Sequence, residues 1–414
     1  MTELIVTVNA PGEVAGWLLP LAQHVKRSDP AVRIRAVLTP CPFAGGRERE
    51  ILSAHPALDD VVDLRPFLFD LVRRRQPRRQ ALVLHLGGDR IYSLLIAKLL
   101  RAPAWVYGTS RQWSRWYQRC LVPDARTIDK LRRAGVASDR IAAVGEMVVD
   151  SVPETVDGIG ALRAFGIDPE REEPVTLMAG SRPYEVEFML PFYADVIDAL
   201  ASSRPSARCL LPFSEFVDPA LIDRAMERAG MRTERGAGDS VCVRTRRGAT
   251  ARIVHKERYA AMAASRMVVT LPGTNTLQLA ALGAPMLVVV PLNRVENAVV
   301  EGPVNWLSTR WWPTRALKRR LLLHVNERLG FIALPNMLAG REVVPELRAM
   351  LEPADVAGQI VRWLDDCEGR AAMSRELRRL AGPRGAAARM AAEVTRRRRE
   401  PAGAGATSVA AERQ

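Results

Sequence analysis

The chain has 414 residues, 48% of them hydrophobic and 26% charged, a composition typical of a globular protein large enough for two domains. Lys and Arg outnumber Asp and Glu by 60 to 46, and the resulting net charge of +14 favours an anionic partner. The five cysteines are scattered without a CxxC pair, which argues against structural zinc or a disulfide framework and favours a reducing compartment.

The first 150 residues alternate short apolar runs with helical stretches, the pattern of a doubly wound parallel sheet. Strands are predicted at Leu4–Val8, Arg33–Leu38, Asp60–Asp63, Ala81–Leu86, Ala104–Tyr107, Leu121–Pro123 and Ile141–Val144. The N-terminal apolar run is short and lacks preceding basic residues, so it predicts a strand and not a signal peptide. No uninterrupted apolar run is long enough to span a bilayer, and membrane contact is therefore expected to be peripheral.

Two glycine-bearing turns follow predicted strands in this half. The PGEVAG motif offers Gly12 and Gly16 for close approach of a substrate that Glu13 would face, or it is a turn with a surface glutamate. It lacks the GxGxxG spacing of a nicotinamide site. In the LGGDR motif, Asp89 follows a buried strand and is either a general base or the N-cap of the next helix.

A second α/β unit is predicted from residue 174, after an acidic linker. Its strands are predicted at Val175–Met178, Arg208–Leu211, Met267–Leu271 and Met286–Val290, its helices at Pro183–Ala201, Pro219–Ala229 and Lys256–Ala264, and an exposed basic stretch at Val243–Arg252. The predicted domains are 1–160 and 161–350, followed by helices over 351–400 that pack back on the first domain and a disordered tail over 401–414. Two such domains would place a cleft at the carboxyl ends of their strands.

The second unit also carries glycine turns after strands. In the GSRPYEVE motif, Arg182 suits phosphate oxygens at a helix start, although the glutamates favour that helical turn anyway. In the uncharged stretch LPGTNT, Gly273 and Thr274 form either a seat for a diphosphate or only a turn and a cap. The tryptophans at 306, 311 and 312, with the basic run Arg315–Arg320, indicate either a membrane-interface patch or a buried cluster beside a solvated helix.

Taken in order, these motifs resemble the lipid-A-disaccharide synthase family, inverting glycosyltransferases with the glycosyltransferase-B fold. The matching pieces, over about residues 1–365, are PGEVAG, GGD, VGEMVVD, MAGSRPYEVEFMLP, LPGTNTLQLAALGAPMLVVV and LPNMLAGREVVPEL. The resemblance implies an α/β fold of two Rossmann-like domains facing a cleft. It also implies transfer of a hexosamine-type sugar from a UDP-linked, acylated donor to a lipid-like sugar acceptor, without metal or cofactor. The implied location is cytoplasmic and peripheral at the inner membrane, with a homodimer possible.

The resemblance also implies roles for individual residues. Asp89 would deprotonate the acceptor hydroxyl, and Glu13 is the second implied catalytic residue. The implied substrate-binding residues are Gly12, Gly16, Gly180, Ser181, Arg182, Gly273, Thr274, Asn275, Gln278, Asn336, Arg341 and Glu342.

Three positions depart from the family pattern. Ala15 and Trp17 stand where the family has serine and aspartate, and Gln278 stands where it has a glutamate. These changes bear on the acceptor more than on the fold or the nucleotide. The alternatives are a UDP-sugar 2-epimerase-like enzyme and a catalytically inactive relative that binds sugar nucleotide or lipid. Nucleic-acid binding has only the positive charge in its favour.

Overall fold

The computed structural model describes residues 3–41, 44–74, 80–235, 241–293 and 312–399. These residues form two compact α/β units: residues up to 41, 48–151 and 383–399 make the first, and 44–47 with 152–382 make the second. The predicted fold class, two doubly wound Rossmann-like units, is confirmed. The division differs from the predicted boundaries, because the helices up to residue 381 stay with the second unit and only the last helix joins the first.

The first unit contains a seven-stranded sheet in the order β3-β2-β1-β4-β5-β6-β7, in which every neighbouring pair is parallel. Its strands are β1 (Glu3–Val8), β2 (Arg33–Leu38), β3 (Asp60–Asp63), β4 (Ala81–His85), β5 (Ala104–Tyr107), β6 (Arg119–Val122) and β7 (Ile141–Ala143). Every residue of β1 and β4 is buried. Continuous burial of this kind is what a parallel sheet covered on both faces requires, and it explains why these strands could be predicted.

The helices of the first unit cover both faces of this sheet. The first six are α1 (Pro11–Glu13), α2 (Leu19–Ser28), α3 (Glu48–Ser53), α4 (Leu64–Arg74), α5 (Arg90–Leu100) and α6 (Ala125–Arg133). The PGEVAG motif, predicted as a turn, is helical throughout, and a π-helical segment at Val14–Leu18 joins α1 to α2. Gly16 lies against Val148. A Cβ atom added to Gly16 would be 3.3 Å from the Val148 Cγ2 atom.

The second unit contains an eight-stranded sheet in the order β10-β11-β12-β9-β8-β13-β14-β15. Its strands are β8 (Glu173–Leu177), β9 (Ala207–Pro212), β10 (Arg232–Arg235), β11 (Val241–Arg244), β12 (Thr250–Val254), β13 (Met267–Thr270), β14 (Met286–Pro291) and β15 (Glu346–Ala349). The stretch Val243–Arg252, predicted as exposed, begins in β11 and ends in β12, which pair antiparallel. Arg244, Arg246 and Arg247 are exposed as predicted, whereas Val243 and Ala251 are buried. The arginines masked the alternation of buried Val243, Ala251 and Ile253 with polar neighbours.

The helices of the second unit are α7 (Gly158–Ala164), α8 (Pro183–Ser203), α9 (Pro219–Arg228), α10 (Arg258–Ala264), α11 (Asn275–Leu282), α12 (Trp312–Arg328), α13 (Leu334–Ala339), α14 (Pro353–Asp365) and α15 (Cys367–Ala381). The last helix, α16 (Ala386–Arg399), packs on α2 of the first unit. The carboxylate of Asp150 accepts hydrogen bonds from the backbone N–H groups of Gly385 and Ala387, at 2.7 and 2.6 Å. Met390 and Val394 are fully buried, so α16 is part of the core of the first unit.

An ion-pair cluster centred on Glu173 ties the start of β8 to its neighbours. The carboxylate accepts hydrogen bonds from Arg204 Nε at 2.7 Å and Ser206 Oγ at 2.6 Å, and Arg266 Nη1 lies 3.7 Å away. The hydrogen bond from Arg204, followed by that from Ser206, lowers the pKa of Glu173 from its usual value near 4.5 to about 2. The cluster lies at the amino edge of the sheet.

Replacing this carboxylate, in Glu173→Gln, is expected to lower the free energy of unfolding at pH 7 by about 1–2 kcal/mol, allowing for solvent screening at the partly exposed arginine. Because the folded pKa lies below the unfolded one, the stabilisation is complete above about pH 5 and is lost as the pH falls towards 2. Urea unfolding of both proteins between pH 7 and pH 3 measures this. A difference that stayed constant over that range would contradict it.

Candidate functional site

Each sheet has a topological switch point beside its first strand. In the first unit the strand order reverses between β1 and β4, and in the second between β8 and β13. Ligands of open α/β sheets bind outside the carboxyl ends of the strands at such points. The structure brings the PGEVAG and GGD motifs together at the first switch point, and the GSR and PGTN motifs together at the second.

At the first switch point, the carboxylate of Glu13 closes the start of its own helix. Its Oε2 atom accepts hydrogen bonds from the backbone N–H groups of Asn9 and Ala10, at 3.3 and 3.2 Å. Gly87 lies directly against the Glu13 carboxylate. A Cβ atom added to Gly87 would be 1.7 Å from Oε2, too close for any side chain. The first glycine of the GGD motif therefore makes room for Glu13, while Gly12 lies in the first helical turn.

Asp89 is exposed and is the N-cap of α5. Its Oδ1 atom accepts a hydrogen bond from the backbone N–H of Ile91 at 3.0 Å. The capping alternative is thus present in this structure. Since capping occupies one carboxylate oxygen, the role of Asp89 in proton transfer stays a prediction.

Trp17, one of the departures from the family pattern, lies on the π-helical segment. Its ring meets that of Tyr107 edge-on, with centroids 5.4 Å apart. The Tyr107 hydroxyl donates to the carbonyl of Gly145 at 3.1 Å, beside Glu146, whose pKa is raised by burial. Trp17 Nε1 is buried with no hydrogen-bond partner in the described part of the chain. The aromatic pair Trp17 and Tyr107 thus lies at the carboxyl end of β5.

At the second switch point, Glu185 closes the start of α8. Its Oε2 atom accepts hydrogen bonds from the backbone N–H groups of Ser181 and Arg182, at 3.0 and 3.2 Å. Its Oε1 atom lies 2.9 Å from Arg182 Nη1 in an ion pair. Burial raises the pKa of Glu185, although Arg182 opposes the shift. Gly180, at φ +97°, is the turn residue against this carboxylate, since an added Cβ would lie 2.3 Å from Oε2.

The start of α11 is different. Its N-cap, Thr274, makes no side-chain capping bond, and the described residues offer no acceptor for the backbone N–H groups of Gly273, Thr274 and Asn275. The Asn275 side chain turns back to the end of β13, where it donates to the Leu271 carbonyl at 3.2 Å. The first N–H groups of a helix have no partner within the helix, and such donors are what an anion site uses.

Four helices begin at the two switch points. At three of them a nearby carboxylate of the chain accepts backbone N–H groups of the helix start: Glu13 at α1, Asp89 at α5 and Glu185 at α8. Only α11, among these four, begins without one. Both helix starts at the first switch point therefore already bind carboxylates of the chain, and the backbone donors without such a partner lie at the second switch point, at the start of α11.

The second unit also contains a cavity of about 650 Å³ beyond the ends of β9 and β12. Its lining includes Phe213, Glu215, His255 and Tyr259. Gln278 Nε2 of α11 donates to the Tyr259 hydroxyl at 3.2 Å, which connects the cavity to the helix with the open start. The volume lies within the range of roughly 300–1,000 Å³ of small-molecule sites. No sequence motif marks this cavity, and its lining could be anticipated only from its position after two strands.

The remaining predicted residues lie elsewhere in the second unit. Asn336 is fully buried: its Oδ1 accepts from the N–H groups of Val343 and Val344, and its Nδ2 donates to Glu346. Arg341 pairs with a glutamate of α15, and Glu342 is exposed. Their loop enters the amino end of β15, so the structure does not bring them to the switch point. Their contact with substrate stays a prediction.

Two further features of the described residues bear on the site. No three His, Cys, Asp or Glu side chains in those ranges converge as metal ligands would. None of the helices formed there is long and apolar enough to cross a bilayer.

The amino-acid sequence is similar to known enzymes over most of its length. It is 25% identical to the lipid-A-disaccharide synthase of Geobacter sulfurreducens over 383 residues, covering 88% of each chain. It is 29% identical to that of Paraburkholderia xenovorans over 248 residues, covering 60% of this chain and 52% of the relative. No protein-family model matches the chain. The resemblance predicted from the motifs is confirmed, and the chain is a diverged relative of lipid-A-disaccharide synthases.

Solved structures of the same fold include a UDP-GlcNAc 2-epimerase from Neisseria meningitidis bound to UDP-GlcNAc, with a TM-score of 0.50, 12% identity and coverage of 95% of this chain and 99% of that one. The structure of S. aureus MnaA with UDP has a TM-score of 0.53, 12% identity and coverage of 95% and 96%. At this identity the likeness shows the fold alone.

Proposed function

We propose that this chain is a glycosyltransferase that moves a hexosamine-type sugar from a UDP-linked, acylated donor to a lipid-like sugar acceptor, with inversion. One observation carries the proposal: a nucleotide-sized cavity is connected to an uncapped helix start, in a chain similar to lipid-A-disaccharide synthases. The donor nucleotide binds to the second unit, with its base and ribose in the cavity. The diphosphate binds to the N–H groups at Gly273–Asn275, with Arg182 across the switch point as counter-charge.

The acceptor binds to the first unit, where Trp17 faces it in place of the family's carboxylate. Asp89 receives the proton of the acceptor hydroxyl on the oxygen that does not cap α5. The acceptor oxygen forms a bond to the anomeric carbon of the donor as the bond from that carbon to UDP breaks. Attack from the side opposite UDP inverts the configuration, and the α11 donors stabilise the charge on the departing diphosphate.

Incubation of the protein with UDP-sugar, with and without a glycolipid acceptor, tests the proposal by mass spectrometry. The expected result is release of UDP and formation of a disaccharide lipid only when the acceptor is present. Conversion of the UDP-sugar without acceptor would instead identify an epimerase-like enzyme, which is the second candidate on the same fold. UDP binding with neither reaction would identify an inactive relative.

We also propose that the chain contacts the inner-membrane surface through α12. Leu317, Leu321 and Val325 recur every four residues on this helix and are 49, 37 and 48% exposed. Exposed Arg315 and Arg320 flank this apolar row, a combination that suits an anionic bilayer interface. The predicted patch also included the tryptophans at 306 and 311, which lie outside the described residues, as does the predicted tail over 401–414.

Replacing two leucines of this row, in Leu317→Asp/Leu321→Asp, is expected to reduce co-sedimentation with anionic phospholipid vesicles about tenfold or more, since each loses apolar burial and gains repulsion. Leu317→Ala/Leu321→Ala is the milder comparison. Equal sedimentation of the aspartate variant and the wild type would contradict membrane contact through this face. Light scattering shows whether the row instead mediates a homodimer.

A further inference from the structure

The two units begin their central helices in the same way. The segments are Ala10-Pro11-Gly12-Glu13 and Arg182-Pro183-Tyr184-Glu185, both Xaa-Pro-Xaa-Glu after the first strand of a sheet. In each, the glutamate Oε2 accepts from the backbone N–H groups three and four residues before it, at 3.0 to 3.3 Å. In each, a glycine lies against that oxygen: Gly87 in the first unit and Gly180 in the second.

The repeated arrangement indicates a shared structural task. A carboxylate oxygen that accepts two backbone N–H groups is held in place and satisfies donors that a helix start leaves open. Proline at the first helical position fixes the backbone angle there. Each carboxylate therefore accepts the backbone N–H groups at its helix start, where a ligand anion would otherwise bind.

The second unit adds a charge to this arrangement. The Oε1 atom of Glu185 lies 2.9 Å from Arg182 Nη1, and the Tyr184 hydroxyl lies 3.1 Å from the same nitrogen. The glutamate side chain is only 12% exposed and that of Arg182 is 30% exposed, so water competes for the carboxylate less than for the guanidinium. Arg182 is therefore held by Glu185 and Tyr184 at the start of α8, beside the second switch point.

We propose that Glu13 and Glu185 are positioning residues of one kind. Each fixes the helix start beside its switch point, and Glu185 additionally holds the guanidinium of Arg182 for the donor diphosphate. Neither glutamate exchanges a proton with substrate. The part that concerns Arg182 rests on the proposed donor site in the second unit.

A double-mutant cycle on UDP affinity, measured by titration calorimetry, tests the Glu185 part without needing turnover. Arg182→Gln is expected to weaken UDP binding about 10- to 100-fold, the usual range for a hydrogen bond to a charged group. Glu185→Gln keeps the acceptor for the two N–H groups but loses the ionic anchor, and is expected to weaken binding about fivefold. In the Arg182→Gln background it should weaken binding no further, because Glu185 acts through Arg182.

If the two effects multiply in the double variant, Glu185 does not act through Arg182 and the assignment is overturned. A wild-type protein that does not bind UDP overturns the proposed function itself, which is a different result from multiplied effects. Melting temperatures of all four proteins show whether a loss of affinity reflects unfolding.

The Glu13 part is tested by comparison of Glu13→Ala with Glu13→Gln. The alanine variant is expected to lose turnover and to melt about 2–4 °C lower. The glutamine variant should recover both to within about threefold in kcat and about 1 °C, with the wild-type pH–rate profile, because its amide oxygen still accepts the two N–H groups. A glutamine variant that folds but remains about 10²–10⁴-fold slow would show proton transfer by Glu13 and overturn the assignment.

Discussion

Asp89→Asn is expected to lower kcat about 10²–10⁴-fold while leaving thermal stability almost unchanged. Asparagine is as good an N-cap as aspartate, so its side-chain oxygen still accepts the Ile91 N–H bond that starts α5. It cannot take a proton from the acceptor hydroxyl, and positioned proton transfer contributes about this much to rate. Steady-state turnover and a melting curve on the same preparation measure the two roles separately.

The matched control is Asp366→Asn. Asp366 is the N-cap of α15, with Oδ1 accepting from the Gly369 N–H three residues on, at 2.7 Å, and it lies away from both switch points. This variant should keep wild-type turnover. Near-wild-type turnover in Asp89→Asn would show that Asp89 only caps its helix, and the base would then have to be sought among other groups of the first unit.

Thr274→Asp is expected to weaken UDP binding roughly 10²–10³-fold without lowering the melting temperature. It gives α11 the carboxylate that the other three helices at the switch points already have. Two like unit charges 4 Å apart repel by about 4 kcal/mol at an effective dielectric constant of 20, which salt reduces somewhat. Titration calorimetry with UDP at fixed ionic strength measures the effect.

Thr274→Asn has nearly the same shape as the aspartate variant and no charge, and it should bind UDP within about threefold of wild type. The difference between the two variants isolates the charge from the change of side chain. Unimpaired UDP binding in Thr274→Asp would place the diphosphate somewhere other than the start of α11, and the donor site would have to be reassigned.

The strands and the doubly wound fold class could be predicted because they leave clear patterns along the sequence. Strands such as β1 and β4 are buried on both faces and are therefore continuous apolar runs. A glycine that must accommodate a neighbouring carboxylate, such as Gly87, stands in a motif directly after a strand. The motifs therefore marked the places where the structure later showed close contacts.

Three other features were left open or misassigned by the sequence patterns, each for its own reason. Whether Asp89 caps a helix or transfers a proton is a matter of side-chain direction, which spacing along the chain does not set. The PGEVAG motif suggested a turn because it has two glycines and a proline, whereas proline at the first position and glutamate at the third stabilise a helix start. No sequence pattern singled out Tyr259, because its hydrogen bond to Gln278, which connects the cavity to α11, joins residues that are 19 positions apart.

The return of α16 to the first unit has a consequence for the order of assembly during synthesis. Met390 and Val394 complete a core whose other members were translated more than 200 residues earlier, before the whole second unit. A nascent first unit therefore emerges from the ribosome with the outer surface of α2 uncovered, and must wait for the second unit to be made. We expect it to rely on chaperones during that interval.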